Sequence, residues 1–327
     1  MKINWTAFVE LVQRHQRFLL TSHMRPDCDA LGSELGMASV LESLGKQVRI
    51  VNGDRTPGHL TFIDPERKIE VLGEHVAPEE LADVEVLMIL DTSAWIQLGP
   101  MADVVRQTGA RKVVVDHHVS EDDLGAVSFK NVKTEATGRL VIEAADALGV
   151  PLTPHAAASV FAAIATDTGW FRFSSVTGET YRTVARLIDL GVRPETIYGQ
   201  LYEQETVQRM RLRGQILSQA QTELDGRLIY ARVGLRDFEC MGAKPSDTED
   251  VINQLLRVAG TEVAMIFMEL GPETIKVSFR SRGSVDVRCL AEQFGGGGHV
   301  AAAGATLHEP LDATERKILD ATRRAMR

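Results

Sequence analysis

A β-branched run ends in three consecutive polar, titratable residues: Val113-Val114-Val115-Asp116-His117-His118. Three other acidic clusters could meet it: Ser22-His23-Met24-Arg25-Pro26-Asp27-Cys28-Asp29, then Leu87-Met88-Ile89-Leu90-Asp91, then Ile164-Ala165-Thr166-Asp167. Imidazole and carboxylate are the ligands of hard-to-borderline divalent ions, and mixed shells of the two suit manganese-like metals. Six such groups are too many for one catalytic ion but suit two ions that share a carboxylate. A pair of this kind can activate a water and clamp a phosphoryl group.

The elements that must position these groups read as strands alternating with helices. Arg17 to Ser22, Gln47 to Val51, Val84 to Leu90 and Lys112 to Val115 are short apolar strands, and Ala30 to Leu44 is a helix closed by Gly45. Continuous Val/Ile/Leu strands separated by helices predict a parallel sheet covered on both faces, hence an α/β fold. Three of the four clusters lie just past an apolar strand, and ligands of open parallel sheets bind beyond the carboxyl ends of the strands. Each cluster alone has a plainer explanation. Pro26-Asp27-Cys28-Asp29 could only cap the helix that follows, Asp91-Thr92 could be a strand-end turn, and Asp167 a helix-end turn. Asp116-His117-His118 is harder to dismiss, because three such groups straight after a buried strand are costly unless partnered.

Ala156 to Thr166 reads as a buried helix, and Thr177 to Leu190 as another with Thr177 as its N-cap. Trp170, Phe171 and Phe173 follow Asp167, where they could stack on a base or, on the plainer reading, fill the core. Thr134 to Gly138 is a candidate for the pocket wall. Cys28 reads as a spacer between two ligands.

Residues 195–224 form a charged, helical stretch that reads as a connector between a domain of residues 1–194 and a smaller, strand-rich α/β unit of residues 225–327. In that unit Leu228 to Val233 is a strand, Thr248 to Val258 a helix, and Glu262 to Glu269 pairs with Thr274 to Arg280 in a hairpin. A short helix, Val285 to Phe294, leads into Gly295-Gly296-Gly297-Gly298-His299. Successive glycines let backbone approach a ligand closely, and their N–H groups can form an anion nest; a flexible linker is the alternative. Arg280 and Arg282 close the hairpin strand, and a guanidinium suits bidentate phosphate recognition, although Arg282 equally suits solvent.

Composition narrows the rest. The chain has 327 residues, 44% hydrophobic and 25% charged, which is enough for two soluble domains. No apolar run approaches the roughly 20 residues of a membrane span, and the first residues lack a signal-peptide pattern. Cys28, Cys240 and Cys289 show no CxxC spacing, which fits a reducing cytoplasm. A net charge of −9 argues against a broad nucleic-acid surface but leaves room for a short nucleotide.

The order His23-x-x-x-Asp27-x-Asp29, strand-end Asp91, Asp116-His117-His118 and helix-end Asp167 resembles the DHH phosphoesterase superfamily. The glycine run ending in His299 resembles the signature of its DHHA1 C-terminal domain, and the layout resembles the compact nanoRNase/pAp-phosphatase (NrnA-type) branch. The resemblance implies two Mn2+ ions, with Mg2+ or Co2+ as substitutes. His23, Asp27 and Asp91 would hold one; Asp29, Asp91, His117 and Asp167 would hold the other. Asp116 and His118 would serve catalysis, Asp116 by fixing an imidazole and His118 by meeting the scissile phosphate. Arg280, His299, Gly296, Gly297, Gly298 and, more weakly, Arg282 would bind the nucleotide end. The implied substrates are very short oligoribonucleotides, linear dinucleotides such as pApA, and 3′-phosphoadenosine 5′-phosphate (pAp). No membrane partner is expected, and a homodimer is left open. The alternatives are a manganese-dependent inorganic pyrophosphatase and a non-catalytic nucleotide-binding protein.

Overall fold

The computed structural model describes residues 3–283 and 285–327. The chain divides into two compact units, the first running to Gln204 and the second from Glu205 to Arg327. The first contains α1 (Trp5–Arg14), β1 (Arg17–Thr21), α2 (Cys28–Ser43), β2 (Gln47–Asn52), β3 (Ile69–Val71), β4 (Val86–Leu90), α3 (Met101–Gln107), β5 (Arg111–Asp116), β6 (Val127–Lys130), α4 (Thr137–Leu148), α5 (Pro154–Asp167), α6 (Gly178–Asp189) and α7 (Pro194–Tyr202). Its six strands form one parallel sheet in the order β3-β2-β1-β4-β5-β6.

Burial on both faces explains why these strands carry no polar alternation. Phe18, Leu20, Met88, Leu90, Val113 and Val115 pack into one core with α1, α2, α4 and α5. Leu19, Leu87, Ile89 and Val114 face a second core with α3. The α2 helix starts at Cys28, two residues before the sequence-based start, because the Asp27 side chain accepts from the N–H groups of Asp29 and Ala30. Asp27 is therefore a helix cap as well as a candidate ligand. Thr177 caps α6 by accepting from Thr180 N–H.

The second unit contains α8 (Val207–Ser218), β7 (Gln221–Glu223), β8 (Leu228–Val233), α9 (Leu235–Met241), α10 (Val251–Leu256), β9 (Val263–Gly271), β10 (Thr274–Ser281), α11 (Val287–Glu292), β11 (Gly297–His299), β12 (Ala302–Leu307) and α12 (Leu311–Ala325). Its sheet runs β11-β12-β10-β9-β8-β7 and is antiparallel except for the β8–β9 pair. Residues 195–224, read as a helical connector, hold most of α7, all of α8 and the strand β7. The expected helix at Thr248 to Val258 is interrupted, since Asp250 takes a left-handed conformation (φ 67°) and α10 starts only at Val251. Among the described residues, no helix is long and apolar enough to cross a membrane.

Candidate active site

The order β3-β2-β1-β4-β5-β6 reverses direction between β1 and β4, and open α/β sheets bind ligands at that switch point, beyond the strands' carboxyl ends. His23 lies just past the end of β1 and Asp91 just past the end of β4, on the two sides of that crevice. Asp91 sits in the left-handed region (φ 63°), which costs a residue with a β-carbon on the order of 1 kcal/mol and recurs where a side chain must be aimed. Its backbone N–H donates to Val115 C=O at 3.0 Å, tying Asp91 to the neighbouring strand.

The four clusters converge. His23 Nε2 lies 3.4 Å from Asp91 Oδ2 and 3.9 Å from Asp27 Oδ1. His117 Nε2 lies 3.6 Å from Asp29 Oδ2, 3.5 Å from Asp91 Oδ1 and 3.4 Å from Asp167 Oδ2. Bonds of about 2.1 Å to a shared ion would set ligand atoms roughly 3.0–3.5 Å apart, close to these separations. The tautomers fit as well. His23 Nδ1 faces Met24 C=O at 3.0 Å and His117 Nδ1 faces Thr134 C=O at 3.1 Å, so each Nδ1–H donates and each Nε2 is the atom turned to the carboxylates. His117 Nε2 is buried and, among the described residues, has no hydrogen-bond partner although three carboxylates surround it. A buried Nε2 among carboxylate oxygens that makes no hydrogen bond is satisfied when a cation or a shared proton lies between them.

Close helix packing brings Asp29 and Asp167 together. A β-carbon at Gly32 would stand 2.3 Å from Ser159 C=O of α5, and one at Gly36 would stand 2.5 Å from Val160 Cγ2. These two glycines let α2 lie against α5, so the start of one helix meets the end of the other. Asp29 is held by three donors: Thr137 N–H at 2.8 Å, Gly138 N–H at 2.9 Å and Ser33 Oγ at 3.2 Å. The first two are the opening amides of α4, a favourable seat for an anion. Thr137 Oγ1 also donates to Asp91 at 2.8 Å. Residues 134–138 thus hold three of the candidate ligands, Asp29, Asp91 and His117, from behind.

Asp116 fixes His118 and leaves His117 to the Thr134 carbonyl. His118 Nδ1 lies 2.9 Å from Asp116 Oδ1, which also accepts from the His118 backbone N–H. Ser93 Oγ donates to Asp116 Oδ2 at 2.6 Å, and Lys130 Nζ stands 3.2 Å from the same oxygen. Neither Ser93 nor Lys130 is evident from motif spacing; only the register of β5 beside β6, which pairs Asp116 with Lys130, brings the lysine there.

The electrostatics follow from burial and crowding. Burial first, then the charges of Asp29 and Asp27, push the Asp91 carboxyl well above the usual carboxylate range. Burial also raises Asp29 despite the opposing pull of His117, and burial with the Asp29 charge raises Asp167 to about 6. Asp116 goes the other way: burial alone would raise it, but hydrogen bonds from His118 and Ser93 hold it at about 2. That carboxylate in turn raises the His118 imidazole and favours its protonated form.

In the second unit, strand register gathers the expected nucleotide-binding residues. Arg280 pairs with Ala302, and Ala302 pairs with His299, so all three share one face. Two strand spacings put Arg280 and His299 roughly 10 Å apart. One step along, Ser278 and Gly297 flank Gly304 on the same face. Arg280 also lines a polar cavity with Asn253, Lys276 and Ser278. The second half of the glycine run, Gly297 and Gly298, belongs to the edge strand β11, and the first half is the turn that leads into it. A β-carbon at Gly296 would lie 2.2 Å from Gly304 C=O, and one at Gly298 2.5 Å from Ala302 C=O. The exposed Gly297 faces open space. Arg282 is engaged elsewhere, donating to Leu256 C=O at 2.6 Å.

Residues 17–164 match the DHH family N-terminal domain, and residues 225–327 match the DHHA1 domain. The chain is 33% identical over 306 residues to the bifunctional oligoribonuclease and PAP phosphatase NrnA of Thermus thermophilus, covering 93% of this chain and 88% of that protein. It belongs to the DHH family. The protein of the same name from Bacillus subtilis is 25% identical over 320 residues, 96% of each chain. The crystal structure of an exopolyphosphatase-related protein from Bacteroides fragilis superposes with a TM-score of 0.82 at 25% identity, covering 98% of this chain and 95% of that one.

Neighbours of the candidate ligands contribute packing. Cys28 is buried, and burial pushes its thiol up to about 12, so it enters the core as a neutral side chain. Trp170 and Phe171 take consecutive left-handed conformations (φ 58° and 62°) and pack against the core, with the Trp170 ring 5.0 Å from that of Tyr198. Phe173 is exposed and covers Gly169.

Proposed function

We propose that this chain is a two-metal phosphoesterase that hydrolyses very short oligoribonucleotides and linear dinucleotides to mononucleotides, and pAp to AMP. The observation that carries the reading is the buried, unpartnered Nε2 of His117 among the carboxylates of Asp29, Asp91 and Asp167. The names of the relatives that align along nearly the whole chain support the substrate class over pyrophosphate. We assign His23, Asp27 and Asp91 to one Mn2+ and Asp29, Asp91, His117 and Asp167 to the other, with Asp91 shared; Mg2+ or Co2+ would substitute. When bound, such a pair supplies an acidified water and Lewis acidity at the phosphoryl group.

The protein's own groups do the rest. His118 gives its Nδ1 proton to the bond with Asp116, which leaves Nε2–H to donate to a phosphoryl or leaving oxygen as charge develops there. Ser93 and Lys130 keep Asp116 ionised and fixed. Within residues 1–194 lies the chemistry; residues 225–327 grip the substrate's nucleotide end through Arg280 and His299, with Gly296, Gly297 and Gly298 giving close backbone approach. Arg282 takes a lesser part. We place the enzyme in the cytoplasm.

The test is a parallel incubation with Mn2+ of pAp, pApA, a long RNA and pyrophosphate. Release of AMP from pAp and pApA, with pyrophosphate left intact, is the expected result. Preferential hydrolysis of pyrophosphate would overturn the assignment, and binding of pApA without turnover would make the protein a nucleotide sensor.

A further inference from the structure

Glu34 is fully buried on α2. Its Oε2 accepts from Asn52 Nδ2 at 2.9 Å, while its Oε1 is buried with no partner among the described residues. Burial pushes the carboxyl up to about 8, against the Asn52 hydrogen bond, and the charge of Asp64 adds to the rise. A half-satisfied carboxyl is a poor core residue, and a leucine would fit the apolar face of α2 at less cost. Such a group calls for a reason beyond packing.

The reason lies in what Asn52 holds. Asn52 ends β2 and is fully buried. Its Oδ1 accepts from the Ser22 backbone N–H at 3.0 Å and from Thr21 Oγ1 at 3.4 Å. Ser22 Oγ in turn donates to Leu90 C=O at 2.8 Å. Ser22 immediately precedes His23, and Leu90 immediately precedes Asp91. A line of hydrogen bonds therefore crosses the carboxyl end of the sheet from α2 through β2 and β1 to β4, directly behind two groups assigned to the metals.

An asparagine amide has two orientations that fit the same space, one presenting its oxygen and the other its NH2. Flipped, Asn52 would turn a donor against the Ser22 N–H. An acceptor at position 34 selects the useful orientation. We propose that Glu34 is a positioning residue for the metal centre: by accepting from Asn52 Nδ2 it locks that amide, which fixes Ser22 and so sets His23 against Asp91. The inference rests on the reading that His23 and Asp91 are metal ligands, and it is independent of which phosphoester the enzyme cleaves.

The experiment is a Mn2+ titration, by calorimetry and electron paramagnetic resonance, of the full chain and of Glu34→Leu and Glu34→Gln, without substrate. Outer contacts of this kind change metal affinity by about 10- to 100-fold. Glu34→Leu should weaken one of two manganese sites by about tenfold or more, leave the other close to the parent, and keep a cooperative thermal transition. Glu34→Gln, which retains an acceptor, should bind both ions like the parent.

A purely structural Glu34 would leave the folded Glu34→Leu protein's Mn2+ affinities unchanged, and that result overturns the proposal. Equal weakening of both sites overturns it too, as does a Glu34→Gln protein as impaired as Glu34→Leu, or a parent chain that binds no manganese. If Glu34→Leu does not fold, Ser22→Ala removes only the hydroxyl bond to Leu90; it should weaken the site that contains His23, and unchanged binding there overturns the proposal. A parent chain that binds two ions but cleaves no nucleotide contradicts the proposed function and leaves this inference standing.

Discussion

Crowding of carboxylates around His117 makes the chelator-treated protein sensitive to pH in a particular direction. The Asp167 carboxyl moves from 3.8 to about 6, chiefly through burial and then through the charge of Asp29, against the pull of His117. Its native form holds a proton that its unfolded form has lost, so stability falls as pH rises through this window. The contribution is fully present below about 3.8 and is gone above about 6. A shift of about two units corresponds to roughly 3 kcal/mol. The side chain is 32% exposed, and solvent screening reduces this to about 1–2 kcal/mol. For a unit of this size that is a difference of roughly 3–6 °C in Tm. The assay is a series of thermal melts by circular dichroism, in chelator, of the parent and Asp167→Asn. The two should melt together at the acid end, and the variant should melt higher above about pH 6. Glu34, raised to about 8, changes stability in the same sense but is present in both proteins and cancels in the comparison. With Mn2+ added the order should reverse, because the parent keeps a carboxylate ligand. Parallel curves for the two metal-free proteins across the window would refute the idea that Asp167 belongs to a repelling cluster.

Gly32→Ala should destabilise the protein by about 1–3 kcal/mol, because its β-carbon would meet the Ser159 carbonyl at 2.3 Å, and should also weaken Mn2+ binding by parting Asp29 from Asp167; melts and metal titration check both. Cys28→Ser should keep metal content and activity near the parent level, whereas a large loss of bound metal would identify a thiolate ligand and a lean towards zinc. Arg280→Ala and His299→Ala should each lose about 1.5–3 kcal/mol of transition-state binding, roughly 10- to 150-fold in kcat/KM, on pApA and pAp. Both variants should spare bis(p-nitrophenyl) phosphate, and His118→Ala should impair all three substrates; equal loss on the small ester for Arg280→Ala would place that arginine in the chemical step.

The candidate ligand set is legible in the sequence because parallel strands buried on both faces read as unbroken apolar runs, and the groups that follow them fall at the mouth of the crevice. His23, Asp91 and His117 are each found this way. The supports behind them are legible only in part: Thr134 to Gly138 reads as a pocket wall, but the bonds it makes do not. Thr137 and Gly138 act through backbone amides at the start of a helix whose preceding residue, Ala136, has no capping side chain to announce it. Gly32 and Gly36 matter for what α5 places opposite them, which spacing along α2 alone does not reveal. Lys130 lies on a four-residue strand and reaches Asp116 through register. In the second unit the strand in the glycine run is hidden because neither it nor the Ala302–Gly304 segment it pairs with carries β-branched or aromatic side chains. Helix 248–258 fails for a local reason, the left-handed turn at Asp250.

The shared carboxylate is the centre of the account, and counting bound manganese tests it most directly. Equilibrium dialysis of the parent against Mn2+ should give two ions per chain, and the same measurement on folded Asp91→Ala should show both largely lost, with pAp hydrolysis abolished. Two ions retained by Asp91→Ala, or a parent that takes up only one, would contradict a centre built on two metals bridged by Asp91.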